Sequence, residues 1–225
     1  MGKMGNGYGS EFHLLRYMGR HRHRLDALVL DLVKAATIDW LDFGFDNSTP
    51  SKDAELKGLS FLEDNREIEN AWEKFWPTGR GIHNWDAVAK LGFGSAGKEW
   101  LLVEAKAHLE EMKSSCMAEG GLAKISAAFT EVKSALGVAP DREWLNPYYQ
   151  YCNRVAALYF LHKNTIPARL LFIYFCGDKG DARRTCPETE SDWKPALAEQ
   201  AAHVGLPQRH LLAERVHALY LPIRP

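Results

Sequence analysis

The feature that most constrains the fold is a charged pair inside the apolar segment 100–108, WLLVEAKAH. Side chains of a β-strand alternate between its two faces. One face of this segment would therefore be entirely apolar, whereas the other carries Glu104, Lys106 and His108 beside Leu102. The segment is hydrophobic enough to be a central strand, where burying charge is costly unless the charge is paired or binds a metal. The pair therefore indicates a functional site built on a buried strand.

The composition is that of an ordinary globular protein. The chain has 225 residues, of which 46% are hydrophobic and 25% charged, enough to bury a sizeable core. The glycine-rich residues 1–9 are expected to be flexible, and 10–225 to form one domain. The formal net charge of −1 provides no global positive field, so binding of nucleic acid would require a local basic patch.

Cysteine spacing and hydropathy bear on where the protein works. The four cysteines show no C-x-x-C spacing, which argues against a zinc site or a disulfide framework and favours a reducing cytoplasm. The sequence has no apolar run of about 18 residues and no signal-peptide pattern. We therefore expect a cytoplasmic protein without a membrane partner.

Helical and strand patterns alternate along the chain, which is typical of an α/β domain. Helices are predicted over about 10–36, up to about Trp76, from after His108 to about 136, over 144–163 and over 191–204; strands are predicted over about 82–91, 99–108, 168–175 and 215–221. Glycines at 92, 94 and 97 favour a hairpin between the first two of these strands. The short segment 37–46 could be a strand or irregular, and 47–50 reads as a loop.

An acidic residue on one strand, Glu-Ala-Lys on the next, and then a helix and a buried strand make up a recognisable order. This order resembles the signature of the PD-(D/E)XK, or restriction-endonuclease-like, nuclease superfamily, and the matching residues are Asp86, Glu104 and Lys106. Trp85 stands where the superfamily name has proline. The resemblance implies a mixed β-sheet flanked by helices. It divides the domain into N-terminal helices (10–78) added to the family core, a nuclease-like core (79–176) and a C-terminal extension (177–225).

The resemblance also implies a metal site and its chemistry. Asp86, Glu104 and the main-chain carbonyl of Ala105 would bind Mg²⁺ or Mn²⁺, and Lys106 would be the catalytic cation. The residue types suit the reaction, because a hard cation held by oxygen ligands can activate water and stabilise charge on a phosphodiester. An ammonium group can orient the attacking water or stabilise the developing charge.

Further candidates surround this core set. Gln150 on the following helix matches a Gln found in exonuclease-like branches, although Arg154 stands four residues later where those branches carry Tyr. The superfamily often adds an acidic residue from an earlier helix, for which Glu11 is favoured over Glu69 and Glu73. His108 is either an accessory residue or a strand-end histidine bonded to its neighbours.

Basic residues crowd the segment 20–24, where Arg20, Arg22 and Arg24 form either a phosphate-binding patch or a solvated helix face. The expected function is that of a metal-dependent nuclease hydrolysing phosphodiester bonds of DNA or RNA, with DNA the expected partner. The alternative is a non-catalytic protein of the same fold that binds nucleic acid or protein, in which Glu104 and Lys106 form a structural ion pair.

Overall fold

The computed structural model describes residues 8–41, 44–45, 53–54, 56–62, 65–78 and 83–224. The helices are α1 (Ser10–Arg20), α2 (Arg22–Val33), α3 (Arg66–Phe75), α4 (Leu122–Leu136), α5 (Tyr149–Lys163) and α6 (Glu190–Val204). The strands are β1 (Thr37–Trp40), β2 (Gly44–Phe45), β3 (Asp53–Ala54), β4 (Leu56–Lys57), β5 (Asn84–Trp85), β6 (Ala87–Gly92), β7 (Lys98–Lys106), β8 (Ala168–Cys176) and β9 (Val216–Pro222). The predicted loop at 47–50 lies outside these residues, as do positions 1–7 of the segment expected to be flexible.

The main sheet has five strands in the order β1-β6-β7-β8-β9. The hairpin of β6 and β7 is antiparallel, and β1 pairs antiparallel with β6. The neighbours β7, β8 and β9 run parallel, which requires long crossover connections. The intervening chain supplies them through α4 and α5 and through α6. The predicted α/β class, with a mixed sheet flanked by helices, is confirmed.

Each face of the main sheet is covered by helices, as the alternation along 100–108 predicts. Leu101, Val103 and Ala105 are buried in the same cluster as apolar residues of α1 and α2. Leu102 belongs to the opposite cluster with residues of α3, α4, α5 and α6. Because β7 lies in the centre with both faces covered, Glu104 and Lys106 are only 1% and 8% exposed.

The sequence pattern places several element boundaries correctly and some wrongly. The pattern predicts helix directly after His108, but α4 begins only at Leu122 after a short 3-10 turn. The helix predicted from about 144 begins at Tyr149, since Pro147 disfavours helical geometry at the residue before it. The strand predicted over 82–91 is divided at Asp86: β5 pairs with β4 in a separate ribbon, and β6 joins the main sheet.

No helix within the described part of the chain combines the length and apolar character that crossing a bilayer requires.

Candidate active site

Asp86 is the single residue between β5 and β6, and both neighbours fix it. Trp85 is fully buried, and its indole nitrogen donates to the carbonyl of Gly58 at 2.7 Å. The backbone N–H of Asp86 donates to the carbonyl of Val103 at 3.2 Å. The side chain turns to the same neighbouring strand, where Oδ2 accepts from the N–H of Ala105 at 2.7 Å. Asp86 is thereby held beside the Glu-Ala-Lys segment of β7.

Glu104 lies on the α5 face of β7 and binds two cations. Its Oε1 accepts a hydrogen bond from Nζ of Lys106. Its Oε2 accepts from Nε of Arg154 at 2.8 Å and lies 2.7 Å from Nη2 of the same side chain. Both carboxylate oxygens are therefore engaged by positive charge, which is the pairing that a buried carboxylate requires.

Lys106 also reaches α5, where its Nζ donates to Oε1 of Gln150 at 2.8 Å. Gln150 stands in the first turn of this helix, and its backbone N–H donates to the hydroxyl of Ser114 at 2.8 Å. The amine is thus fixed from two directions, by a carboxylate on its own strand and by an amide on the facing helix. The structure thus brings Lys106 and Gln150 into contact, whereas the sequence predicted each of them separately as a site residue.

Arg154, one helical turn after Gln150, is 2% exposed and held on every side. Its Nη1 donates to the side-chain oxygen of Asn153 at 2.8 Å, and its Nη2 donates to the carbonyl of Asn84 at 2.6 Å. The guanidinium lies 4.8 Å from the ring centroid of Trp85, within the range of a cation–π contact. Arg154 is therefore a rigid, buried part of the site.

The two carboxyl groups have opposite electrostatic environments. Burial, together with the charge of Glu104, raises the pKa of Asp86 to about 7 despite the nearby Lys106. Burial would raise the pKa of Glu104 as well, but the charges of Arg154 and Lys106 outweigh that cost and hold its pKa below the ordinary value. Asp86 is thus the carboxyl group that lacks sufficient compensating charge.

An open cavity of about 450 Å³ brings the predicted site residues together. It is lined by Asp86, Glu104, Ala105, Lys106 and Gln150 from the core set, by Glu11 at the start of α1, and by Tyr8, Gly9, Ser10, Glu111 and Arg184. Of the three acidic candidates from earlier helices, Glu11 lines this cavity, whereas Glu69 and Glu73 of α3 are not among its lining residues. A second cavity of about 440 Å³ shares Asp86 and Gln150 and is also lined by Arg154.

His108 lies behind the first cavity and is fully buried. Its Nδ1 is 2.9 Å from Oε1 of Glu111, and its Nε2 is 3.2 Å from the carbonyl oxygen of Asp178. Glu111 also accepts from the N–H of Ala107 at 3.0 Å and from Arg184 at 3.1 Å. His108 therefore supports the cavity wall through Glu111, a residue that the sequence analysis missed because a lone Glu after a strand carries no distinguishing signal.

The three arginines proposed for nucleic-acid binding lie elsewhere, at the junction of α1 and α2. Arg20 and Arg24 are exposed, whereas Arg22 is half-buried, donates to the carbonyl of Met18 at 2.8 Å and stacks over Trp40. None of these three lines either cavity described above.

The oxygen-rich lining of the first cavity suits a hard cation such as Mg²⁺. Among the described residues, however, no three His, Cys, Asp or Glu side chains are grouped as a metal would require. Within the same residues, Oδ1 of Asp86 accepts no hydrogen bond. Oε1 of Glu104 accepts only from Lys106 among the described residues and has a second lone pair beyond that one. The donor set therefore fits an ion with two side-chain ligands, the Ala105 carbonyl, and water or substrate.

Comparison of the chain with protein-family models, with curated proteins and with solved structures gives no match.

Proposed function

We propose that this protein is a metal-dependent nuclease of restriction-endonuclease-like fold that hydrolyses phosphodiester bonds, with DNA the expected substrate and RNA the other possibility. The observation that supports the proposal is the convergence of Asp86, Glu104, Ala105, Lys106 and Gln150 on one open cavity. These residues converge because β6 and β7 pair antiparallel and because α5 packs beside them before the chain enters β8. A structural ion pair alone would not need an opening to solvent.

The residues of the site have different proposed roles in the reaction. Asp86, Glu104 and the Ala105 carbonyl would hold Mg²⁺ or Mn²⁺. When bound, such a cation supplies an activated water and stabilises charge on the phosphate. Lys106, held by Glu104 and Gln150, places an ammonium group at the cavity wall, where it can stabilise charge that develops on phosphate oxygens. Gln150 keeps its amide nitrogen as a donor for a phosphate oxygen or for the attacking water.

A cleavage panel tests this proposal. Single-stranded DNA, duplex DNA and RNA are incubated with Mg²⁺ or Mn²⁺ and either the wild type, Lys106→Ala or Lys98→Ala. Lys98 is an exposed lysine at the other end of β7 and serves as the matched control. We expect metal-dependent cleavage that Lys106→Ala lowers by at least about 100-fold, the scale of losing one charge-stabilising donor, and that Lys98→Ala leaves unchanged. Absence of cleavage of all three substrates by the wild type would refute the enzyme proposal.

One observation favours a second candidate, a non-catalytic module of the same fold. Both oxygens of Glu104 are already bonded to cations, an arrangement that a purely structural ion-pair network would also have. Calorimetric titration with Mn²⁺ in the presence of DNA separates the two candidates. After subtraction of the heat of Mn²⁺ binding to DNA alone, a nuclease gives a further binding signal in this titration, whereas a non-catalytic module gives none.

As part of the same proposal we expect a cytoplasmic protein. The four cysteines are free in the structure, which supports a reducing compartment.

A further inference from the structure

Arg154 gives the candidate site an unusual charge balance. Asp86 and Glu104 contribute two negative charges when ionised, and Lys106 and Arg154 contribute two positive ones. Arg184, at the cavity wall, is matched by Glu111 at 3.1 Å. Glu11 is exposed to solvent, where its field is weak. The centre of the site is thus electrically neutral before any divalent cation enters.

A divalent cation in such a site would leave two positive charges uncompensated. It would also find only two side-chain ligands, since no larger group of ligating side chains exists among the described residues. Mg²⁺ and Mn²⁺ need about six oxygen ligands. A phosphodiester supplies both of the missing components, a negative charge and further oxygen ligands.

We propose that this site binds its metal ion and an anionic phosphodiester cooperatively, and that Arg154 is the positioning residue that enforces this coupling. The inference rests on the proposed function. Arg154 would act through Glu104, whose Oε2 it holds with Nε at 2.8 Å and Nη2 at 2.7 Å. Its own contacts to Asn153, Asn84 and Trp85 keep it from moving away when a cation approaches. The protein would consequently bind metal weakly until substrate is present.

Arg154→Gln tests the role of the charge, because it removes the cation and retains a hydrogen-bond donor. The probe is Mn²⁺, titrated calorimetrically with and without a short DNA oligonucleotide carrying charged, non-hydrolysable methylenephosphonate linkages, and the heat of Mn²⁺ binding to the oligonucleotide alone is subtracted. The wild type should bind Mn²⁺ at least about tenfold more tightly with the oligonucleotide than without it. Arg154→Gln should bind Mn²⁺ alone at least about tenfold more tightly than the wild type, since the Coulomb repulsion removed at such short range exceeds the 1.4 kcal/mol that a factor of ten requires.

Two further variants control the experiment. Arg169→Gln removes the arginine of another ion pair on the same sheet, with Glu99 at 2.6 Å, and should behave as the wild type. Arg154→Lys retains the charge and should keep the coupling. A folded Arg154→Gln variant that binds Mn²⁺ no more tightly than the wild type refutes the role of Arg154; if that variant does not fold, the wild-type comparison still tests the coupling itself.

Two outcomes with the wild type would overturn the inference, and only the second of them also refutes the proposed function. Equal Mn²⁺ affinity of the wild type with and without oligonucleotide refutes the coupling but leaves a metal-dependent nuclease intact. No Mn²⁺ binding by the wild type under either condition refutes both.

Discussion

Asp86 stands where a carboxylate is costly unless a cation lies beside it. Oδ2 of Asp86 accepts a hydrogen bond from the N–H of Ala105. Burial and the charge of Glu104 nevertheless raise the pKa of the Asp86 carboxyl group to about 7. An aspartate in the unfolded chain titrates near about 4. Between these two values the folded protein keeps a proton that the unfolded chain has released, so this group makes stability fall as pH rises.

In metal-free protein we therefore expect the contribution of Asp86 to the free energy of unfolding to decrease from about pH 4 to about pH 7 and then to level off. The contribution of Asp86 is at most about 4 kcal/mol, because its side chain is partly open to the cavity and hence partly solvated. Asp86→Asn lacks the titration and can still accept the Ala105 N–H. Urea unfolding with a chelator measures both proteins, and the advantage of Asp86→Asn should grow with pH over this range. Parallel curves for the two proteins would show that Asp86 does not titrate there.

Glu104 neutralises two buried cations, so its removal leaves both unpaired. We expect Glu104→Ala to lower the free energy of unfolding by about 3–5 kcal/mol, the cost of breaking a buried pair. Glu99→Ala is the matched control, because Glu99 lies on the same strand and pairs with Arg169 where both side chains are nearly one-fifth exposed. That change should cost about 1 kcal/mol or less. Equal losses in chemical denaturation would contradict a buried role for the Glu104 pairs.

At the scale of elements, the loop after β8 holds the start of α1 against the site. Oδ2 of Asp178 accepts from the N–H of Gly9 at 2.7 Å and lies 3.1 Å from Nε2 of His13, while Oδ1 accepts from Gly180 at 3.0 Å. These bonds fix the first turn of α1, which carries Glu11 to the cavity rim.

Asp178→Ala should release this first turn without unfolding the sheet. A loss of about 1–2 kcal/mol of local stability corresponds to a factor of about 5–30 in the open population. Hydrogen exchange at residues 9–13 should accelerate by that factor, while exchange in β7 and β8 stays slow. Asp31→Ala, which removes an exposed partner of Lys34 on α2, provides the control and should change neither. Unchanged exchange at 9–13 in Asp178→Ala would mean that other contacts hold α1.

The elements that the sequence predicts well are those whose apolar pattern is local. The strands β7 and β8 fall within one or two residues of their predicted bounds, because each is an alternating or continuous apolar run of nine residues. The helix α6 does so as well, because a capping box of Thr189 and Asp192 begins it and Gly205, in the left-handed conformation, ends it. The site follows partly from the same source, since Glu104 and Lys106 must share a face of β7. Arg154 pairs with Glu104, and Asp178 binds the start of α1, across long distances in the chain. A local sequence pattern therefore could not predict these contacts.

For the whole molecule, the net charge of −1 leaves nucleic-acid binding to local cations. The exposed Arg20 and Arg24 are the proposed phosphate contacts on the surface between α1 and α2. Each such contact contributes about one unit to the slope of log K against log salt. A double variant, Arg20→Gln with Arg24→Gln, should lower that slope for duplex DNA by up to about two units in metal-free fluorescence anisotropy. An unchanged slope would identify this surface as a solvated helix face.

Because β5 belongs to the ribbon with β4 while β6 belongs to the main sheet, Asp86 is the only linker between two separately registered pairings. Inserting or deleting one residue there would either pull Trp85 out of its burial site or shift β6 along β7 and reverse its inward-facing set. The fold therefore leaves almost no freedom to change the length of the chain around position 86.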